Sequence, residues 1–421
     1  MLKKDVPDAS KRLEPEIMSG EMNHAWLFVA DEPDIAQRQL AAFDFTDRLH
    51  IIDDRIYILN PFGGDNIKLL TKRVYEEEST LVGVLPTVIF DSNMIGLLVA
   101  VTKEPANVDA ANRLAAVHLI ETLLAWNCAF SPLPYLIERS AKDRLDVAGH
   151  YAWRAMMAYV ALVTLDAEYF RATGLVKPDD RQLDVLEDRY GYRDAERLAA
   201  SMLATLDLPY ATGLNYFVEI YYATLLKLVL INKFDLVNES FEARLIAFEE
   251  YIEANAEVPI ARALIIARFY LAGLNPDWLR LVPVQKSMPW ARAQSILRAT
   301  AWDLYLASLC EQMAGWSQEP VCETAMFCTR EKSLARALRS VTIEAISVTA
   351  SKFQIRPELG IREPELRSWL GVEYAAFASR QQVWWSTMLA NLKQPPSVDT
   401  LVRRFKASIV ESEARLQQLL P

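Results

Sequence analysis

Cysteine, histidine and glycine are all sparse in this chain, which has 4 Cys, 4 His and 13 Gly in 421 residues. Cys128, Cys310, Cys322 and Cys328 form no Cys-x-x-Cys pair, and no His lies at metal-ligand spacing from them. A zinc site is therefore unsupported, and the thiols read as buried and reduced. His24, His50, His118 and His150 are isolated, so a His-based triad is equally unsupported. His118 falls in a Leu/Ala-rich helical run and reads as packed or solvated. The few glycines, with 20 Pro, argue against low complexity and long disordered tracts. No apolar run follows Lys3-Lys4, so no signal peptide is expected. The most apolar stretches are Ser92 to Thr102, too short to span a bilayer, and Ile220 to Asn232, broken by Lys227. The expectation is a soluble, cytoplasmic protein with no membrane partner. A basic surplus is also missing. The net charge of −10 argues against a broad, nonspecific DNA-binding surface. It leaves a nuclease open, because an acidic active site adds to the same sum.

What is present is apolar surface. At 52% hydrophobic and 10% aromatic the chain can bury a large core, and its length suggests two or three domains. Residues 1–20 are polar. Ala25 to Ala30 alternates as a strand, Asp34 to Phe43 reads as a helix, and Leu49 to Ile52 and Ile56 to Leu59 read as strands joined through Asp53-Asp54. Asn60-Pro61-Phe62-Gly63-Gly64 is a turn. From Pro86 the pattern changes. Val88-Ile89-Phe90 is a continuous apolar run of the kind buried on both faces. A helix over Val108 to Trp126, a short strand to Ser131 and a Pro-opened helix follow. Residues 143–290 read as helix after helix, including Trp153 to Thr173 and Asp180 to Leu206. The αβ alternation then resumes with helix Ala291 to Met313, strand Ala325 to Thr329, helix Ser333 to Ser340 and strand Val341 to Val348. Further helices complete the chain, and Ser397 to Leu420 is amphipathic through Leu401, Phe405, Ile409 and Leu416.

Four carboxylates stand against these strands or their helices. Asp91 ends a strand in Asp91-Ser92-Asn93. Glu138 lies in the helix after Ser131-Pro132. Asp303 lies in Trp302-Asp303-Leu304, and Glu331 in Thr329-Arg330-Glu331-Lys332. If the strands are parallel neighbours, their C-terminal ends share one edge, where sites of open α/β sheets lie. Acids gathered there repel one another unless a cation sits among them, and hard Mg²⁺ or Mn²⁺ prefers oxygen ligands. Each position has a plain structural reading too. Asp91 is a good helix N-cap, Glu138 is an early-helix acid favoured by the dipole, Asp303 fits a structural ion pair, and Glu331 a solvated helix start.

The joint order of these motifs resembles the PIN-like nuclease superfamily over about residues 86–142 and 291–350. The D-[ST]-N strand end is matched by Asp91-Ser92-Asn93, and S-P-x(n)-E by Ser131-Pro132 with Glu138. A helical acid ahead of the fourth strand is matched by Asp303. T-[RA]-D-x-x-[LF] is matched by Thr329 to Leu334, with Glu331 where the family has Asp. The resemblance implies an α/β fold: a PIN-like, mainly parallel sheet over 85–350 with a large all-helical insertion at about 143–290. A small α+β unit would occupy 1–84 and helices 351–421. It implies a metal-dependent nuclease that hydrolyses phosphodiester bonds, with RNA favoured over DNA because many relatives cut RNA. A toxin-like or defence role fits by analogy alone. Asp91, Glu138, Asp303 and Glu331 would be both catalytic and metal-binding, with Mg²⁺ or Mn²⁺ as cofactor. Asn93, Thr329, Arg330, Lys332 and Arg298 would contact substrate. Expected partners are RNA and a second copy or a regulatory protein. The alternative is a noncatalytic PIN-like interaction or scaffold protein, and a third reading is a helical scaffold unrelated to nucleases.

Overall fold

Val88, Ile89 and Phe90 are buried, as a strand covered on both faces requires. They end strand β5 (Gly83–Phe90) in a computed structural model of the chain. The structure describes residues 24–29, 49–61, 66–71, 83–142, 145–205, 216–256, 260–273, 276–313, 321–339, 341–349, 354–361, 379–380, 383–384 and 397–421. The polar start over 1–20, the helix expected over Asp34 to Phe43 and most of the segment between 362 and 396 lie outside these residues, as do Phe62, Gly63 and Gly64 of the expected turn.

The architecture is α/β, dominated by helices, with a small mixed five-stranded sheet. Ahead of β5 come β1 (His24–Val29), β2 (Leu49–Ile52), β3 (Ile56–Leu59) and β4 (Asn66–Thr71). After it come α1 (Ser92–Lys103), α2 (Ala110–Ala125), β6 (Ala129–Ser131) and α3 (Leu133–Lys142). Four helices follow in the same unit: α4 (Leu145–Val163), α5 (Ala167–Thr173), α6 (Asp180–Tyr190) and α7 (Ala195–Thr205). The expected helix over Trp153 to Thr173 is broken because the Asp166 carboxylate accepts from Tyr169 N and starts a new helix. The one over Asp180 to Leu206 is broken at Gly191, whose φ of 78° ends a helix in the left-handed region.

Next are α8 (Tyr216–Leu230), a π-helical turn over Ile231–Asp235, α9 (Phe241–Ala256), α10 (Ala261–Ala272), α11 (Pro276–Leu281) and α12 (Trp290–Met313). Then come β7 (Val321–Thr329), α13 (Lys332–Leu338), β8 (Val341–Thr349), β9 (Gln354–Ile361) and α14 (Val398–Leu419). No described helix is long and apolar enough to cross a membrane.

The five-stranded sheet runs β2-β3-β7-β5-β6. β5 is parallel to β6 and to β7, with Phe90 opposite Cys328. The expectation of a mainly parallel sheet is corrected on the other side of β7. There the β2–β3 hairpin adds antiparallel, with Tyr57 opposite Thr329. In its three-residue connection Arg55 N closes a turn on Ile52 O, and Asp53 and Asp54 both have φ of 52°, the left-handed region that Asp tolerates better than most residues. The strand expected to be fourth, β8, leaves this sheet altogether. It pairs antiparallel with β1, with His24 opposite Val348, in a second sheet ordered β4-β1-β8-β9. Alternation in sequence identifies a strand but not its neighbour.

The chain forms two compact units, and their division differs from the three segments expected. The first comprises Met1–Leu214, Leu306–Ala335 and Ala345–Pro357, and the second Asn215–Tyr305, Arg336–Glu344 and Glu358–Pro421. The strands before residue 84 thus share the first unit with β5 and β7. The expected helical insertion is divided: Met156, Phe170, Leu198 and Met202 join one core with Phe90, Leu119, Leu136 and Met326. In the second unit α14 packs on α8 and α9 through buried Phe405, Ile409 and Leu416. That is the apolar stripe visible in its sequence.

Candidate functional site

The parallel pairing of β5 with β7 fixes the backbone at the end of β5, where Asp91 N donates to Cys328 O at 3.1 Å. Asp91 then caps α1, its Oδ1 accepting from Met94 N at 2.7 Å. Its other oxygen, Oδ2, accepts from the Thr329 hydroxyl at 2.5 Å. Thr329 Oγ1 in turn accepts from Glu331 N at 2.9 Å. Asp91 is 1% exposed. Burial pushes its carboxyl up to about 6, against the lowering effect of the Thr329 and Met94 hydrogen bonds, and the charges of Glu331 and Glu138 add to the rise. Burial, reinforced by Asp91, also lifts the Cys328 thiol well above its ordinary range.

Three successive residues each engage one acid. Asp91 is the first. Ser92 Oγ donates to Glu138 Oε2 at 2.5 Å, and Asn93 Nδ2 donates to Glu331 Oε1 at 3.3 Å. Glu138 is 2% exposed, on the second turn of α3. The pairing of Ile89 with Ser131 brings the start of α3 beside β5. Glu331 stands at the rim. Although the residue as a whole is exposed, partial desolvation raises its carboxyl, opposed by the Asn93 hydrogen bond. Asp91, Glu138 and Glu331 are therefore gathered around the N-terminus of α1. Asp303 is half-buried in α12, belongs to the second unit and is not without a partner.

The expected substrate contacts are distributed unevenly. Arg330 Nη2 donates to Asn112 Oδ1 at 2.7 Å, and Arg55 Nη1 reaches the same oxygen at 3.4 Å. Two guanidinium groups thus converge on one neutral amide, and among the described residues neither is in an ion pair. Lys332 Nζ is held by Asp54 Oδ1 at 2.8 Å, with both groups largely exposed. Arg298 belongs to the second unit, where it meets Glu413 Oε1 at 3.1 Å and lies over the Tyr222 ring at 4.2 Å. His118 Nδ1 lies 2.7 Å from Asp53 Oδ2. Cys128, Cys310 and Cys328 are in no disulfide.

Ser92, Arg55 and Asn112 were missed by sequence reasoning. Ser92 could have been found from the Asp-Ser-Asn triplet, because a hydroxyl one residue after a strand-ending acid lies at the same helix start. Arg55 and Asn112 carry no such signal, since hairpin pairing and the first turn of α2 bring them together.

The donor set is all oxygen, the chemistry that a hard dication selects. A cation would also offset the burial that raises Asp91 and the smaller repulsion from Glu331 and Glu138. In the arrangement as it stands, no three acidic, His or Cys side chains among the described residues close around a common point. Compared with known proteins, the chain matches no family model, no curated protein and no solved structure.

Proposed function

We propose that the first unit is a divalent-metal-dependent nuclease that hydrolyses phosphodiester bonds, with RNA favoured over DNA. One observation carries this reading: Asp91, Ser92 and Asn93 gather three carboxylates at the C-terminal end of a parallel strand pair. Like-charged acids in a partly dry setting oppose folding, and a bound dication reverses that opposition. Mg²⁺ or Mn²⁺, when bound, supplies an activated water and neutralises charge developing on the phosphodiester. Asp91 would be the central ligand, held by Met94 N and Thr329, with Glu138 and Glu331 completing the set. Ser92 and Asn93 orient these two. The PIN-like assignment, the RNA preference and the cytoplasmic setting belong to the same proposal. Asp303 and Arg298 are not needed for it. Purified protein should cut single-stranded RNA with Mg²⁺ or Mn²⁺ and leave it intact in EDTA. Cutting that persists in EDTA, or no cutting of RNA or DNA with either ion, would refute this reading.

Arg55 and Arg330 supply the phosphate contacts in this scheme. Sharing a neutral acceptor leaves their other N–H groups available to an anion, and guanidinium is suited to bidentate phosphate recognition. Replacing both with Gln should weaken RNA binding about tenfold. It should also flatten the slope of log affinity against log salt by about 1.4, because single strands contribute about 0.7 per phosphate contact. Lys332→Gln should matter less, since Asp54 already occupies that ammonium. Fluorescence anisotropy over a salt series measures both effects. An unchanged slope in the double variant would remove the two arginines from the interface.

The noncatalytic alternative also has an observation in its favour. Asp91 is already a helix cap with both oxygens engaged, and the three acids do not close around an ion as they stand. It predicts RNA retention without cleavage under every metal condition.

A further inference from the structure

The second unit contains a cavity of about 500 Å³ that the nuclease reading does not use. It lies among α8, the π-helical turn, α9 and α14, and its size is within the range of small-molecule sites. A π-helical turn inside a helical stretch is frequently found at functional sites. Here Leu236 N bonds back to Ile231 O at 3.1 Å, and Asp235 at the end of the turn lines the cavity.

Two side chains show that the cavity is built for a polar guest. Lys227 is the single charged residue in the run from Ile220 to Ile231, and its neighbours Leu226 and Leu228 are fully buried. Among the described residues its ammonium has no hydrogen bond or ion pair, and it lies over the Tyr251 ring at 5.5 Å. An ammonium in so apolar a helix is costly without an anionic partner. Ser412 is 6% exposed, and its hydroxyl has no hydrogen-bond partner among the described residues. Both side chains line the cavity, together with Arg404.

The other polar groups are already engaged. Arg415 Nη2 is paired with Asp235 Oδ1 at 2.6 Å, and Tyr251 Oη shares a hydrogen bond with Ser408 Oγ at 2.9 Å. Asn255 donates its amide to Tyr251 O at 2.8 Å, which leaves its side-chain oxygen as an acceptor. Lys227 thus adds a positive charge that Asp235, already paired with Arg415, does not neutralise, and Glu411, which also lines the cavity, is exposed.

We propose that this cavity binds a small phosphorylated ligand of mononucleotide size. Lys227 and the Ser412 hydroxyl take the phosphate oxygens, since charge-assisted donors favour an oxyanion. Asn255 Oδ1 and the Glu411 carboxylate accept from N–H or O–H groups of the ligand body. The volume is far more than a bare phosphate fills, which is why the ligand is organic.

Isothermal titration calorimetry on the full chain in EDTA tests the proposal with AMP, GMP, CMP, UMP, their nucleosides and inorganic phosphate. At least one mononucleotide should bind at one site with an affinity tighter than about 1 mM, and its nucleoside at least about tenfold more weakly. Inorganic phosphate should compete, also about tenfold more weakly. Lys227→Gln should weaken the nucleotide at least about tenfold, and Ser412→Ala, a smaller change that keeps the helix, at least about threefold. Failure of all four nucleotides to bind would overturn the proposal. So would a nucleoside or bare phosphate that binds as tightly as the nucleotide, or a folded Ser412→Ala protein with wild-type affinity. EDTA removes the dication on which cleavage depends, so this result and the nuclease result stand or fall separately.

Discussion

Asp91→Asn is expected to abolish metal-dependent RNA cleavage, with a loss of about a thousandfold or more, while the fold is kept. Asparagine has nearly the same shape, and its side-chain oxygen can still accept from Met94 N and cap α1. It cannot supply the anionic ligand that holds a dication at the strand end. Losing one preorganised electrostatic group in an active site costs about 10²–10³ in rate, and Asp91 is the most buried of the three acids here. A binding readout accompanies the kinetic one. An ion at about a hundredfold over its dissociation constant stabilises its folded host by about 2.7 kcal/mol, so Mg²⁺ should raise the melting temperature of the wild type and leave that of the variant unchanged. Single-turnover cleavage and melting curves with and without Mg²⁺ measure the two effects. An unimpaired variant would overturn the assignment of Asp91.

Without metal, the same substitution should stabilise the protein. Folded Asp91 keeps its proton up to about pH 6, whereas its ordinary value is 3.8. Between those limits the folded state binds more protons than the unfolded state, so this group's contribution to stability falls as pH rises through that window. Above about 6 the folded protein carries the full cost of the buried anion. At 1.36 kcal/mol per pKa unit the cost approaches about 3 kcal/mol. That figure is already net of the Thr329 and Met94 hydrogen bonds, so Asp91→Asn should add about 2–3 kcal/mol near pH 7.5. The advantage should shrink towards zero near pH 3.5, where the wild-type side chain is itself neutral. Urea unfolding of both proteins in EDTA at the two pH values gives the comparison. A variant less stable than wild type near pH 7.5 would mean that the hydrogen bonds to ionised Asp91 outweigh its burial.

How much of this was legible in the sequence varies with the range of the interaction. Leu49–Ile52 and Ile56–Leu59 appear as read, because alternation and an Asp-Asp turn are local signals. Val88-Ile89-Phe90 announced a strand covered on both faces, and its parallel neighbours are the short strand after α2 and the one ahead of Glu331. The pairing of β3 with β7 and the departure of β8 to the other sheet were not legible, since a strand's sequence does not name its partner. The same limit applies to the acids. Asp91, Glu138 and Glu331 follow strands of one sheet and come together. Asp303 lies on a long helix and belongs to the second unit. The paired arginines around Asn112 depend on contacts spanning 57 and 218 positions, which no local pattern records.

The bond from Thr329 to Asp91 also sets a timetable. It joins residues 238 positions apart. A ribosome adding about 5–20 residues per second makes Asp91 roughly 10–50 s before Thr329 exists. Through that interval β5 lacks its longest partner strand, and an unpaired apolar edge is open to wrong neighbours. The protein's yield during synthesis should therefore depend more on what shields Val88, Ile89 and Phe90 in the nascent chain than on the stability of the finished molecule.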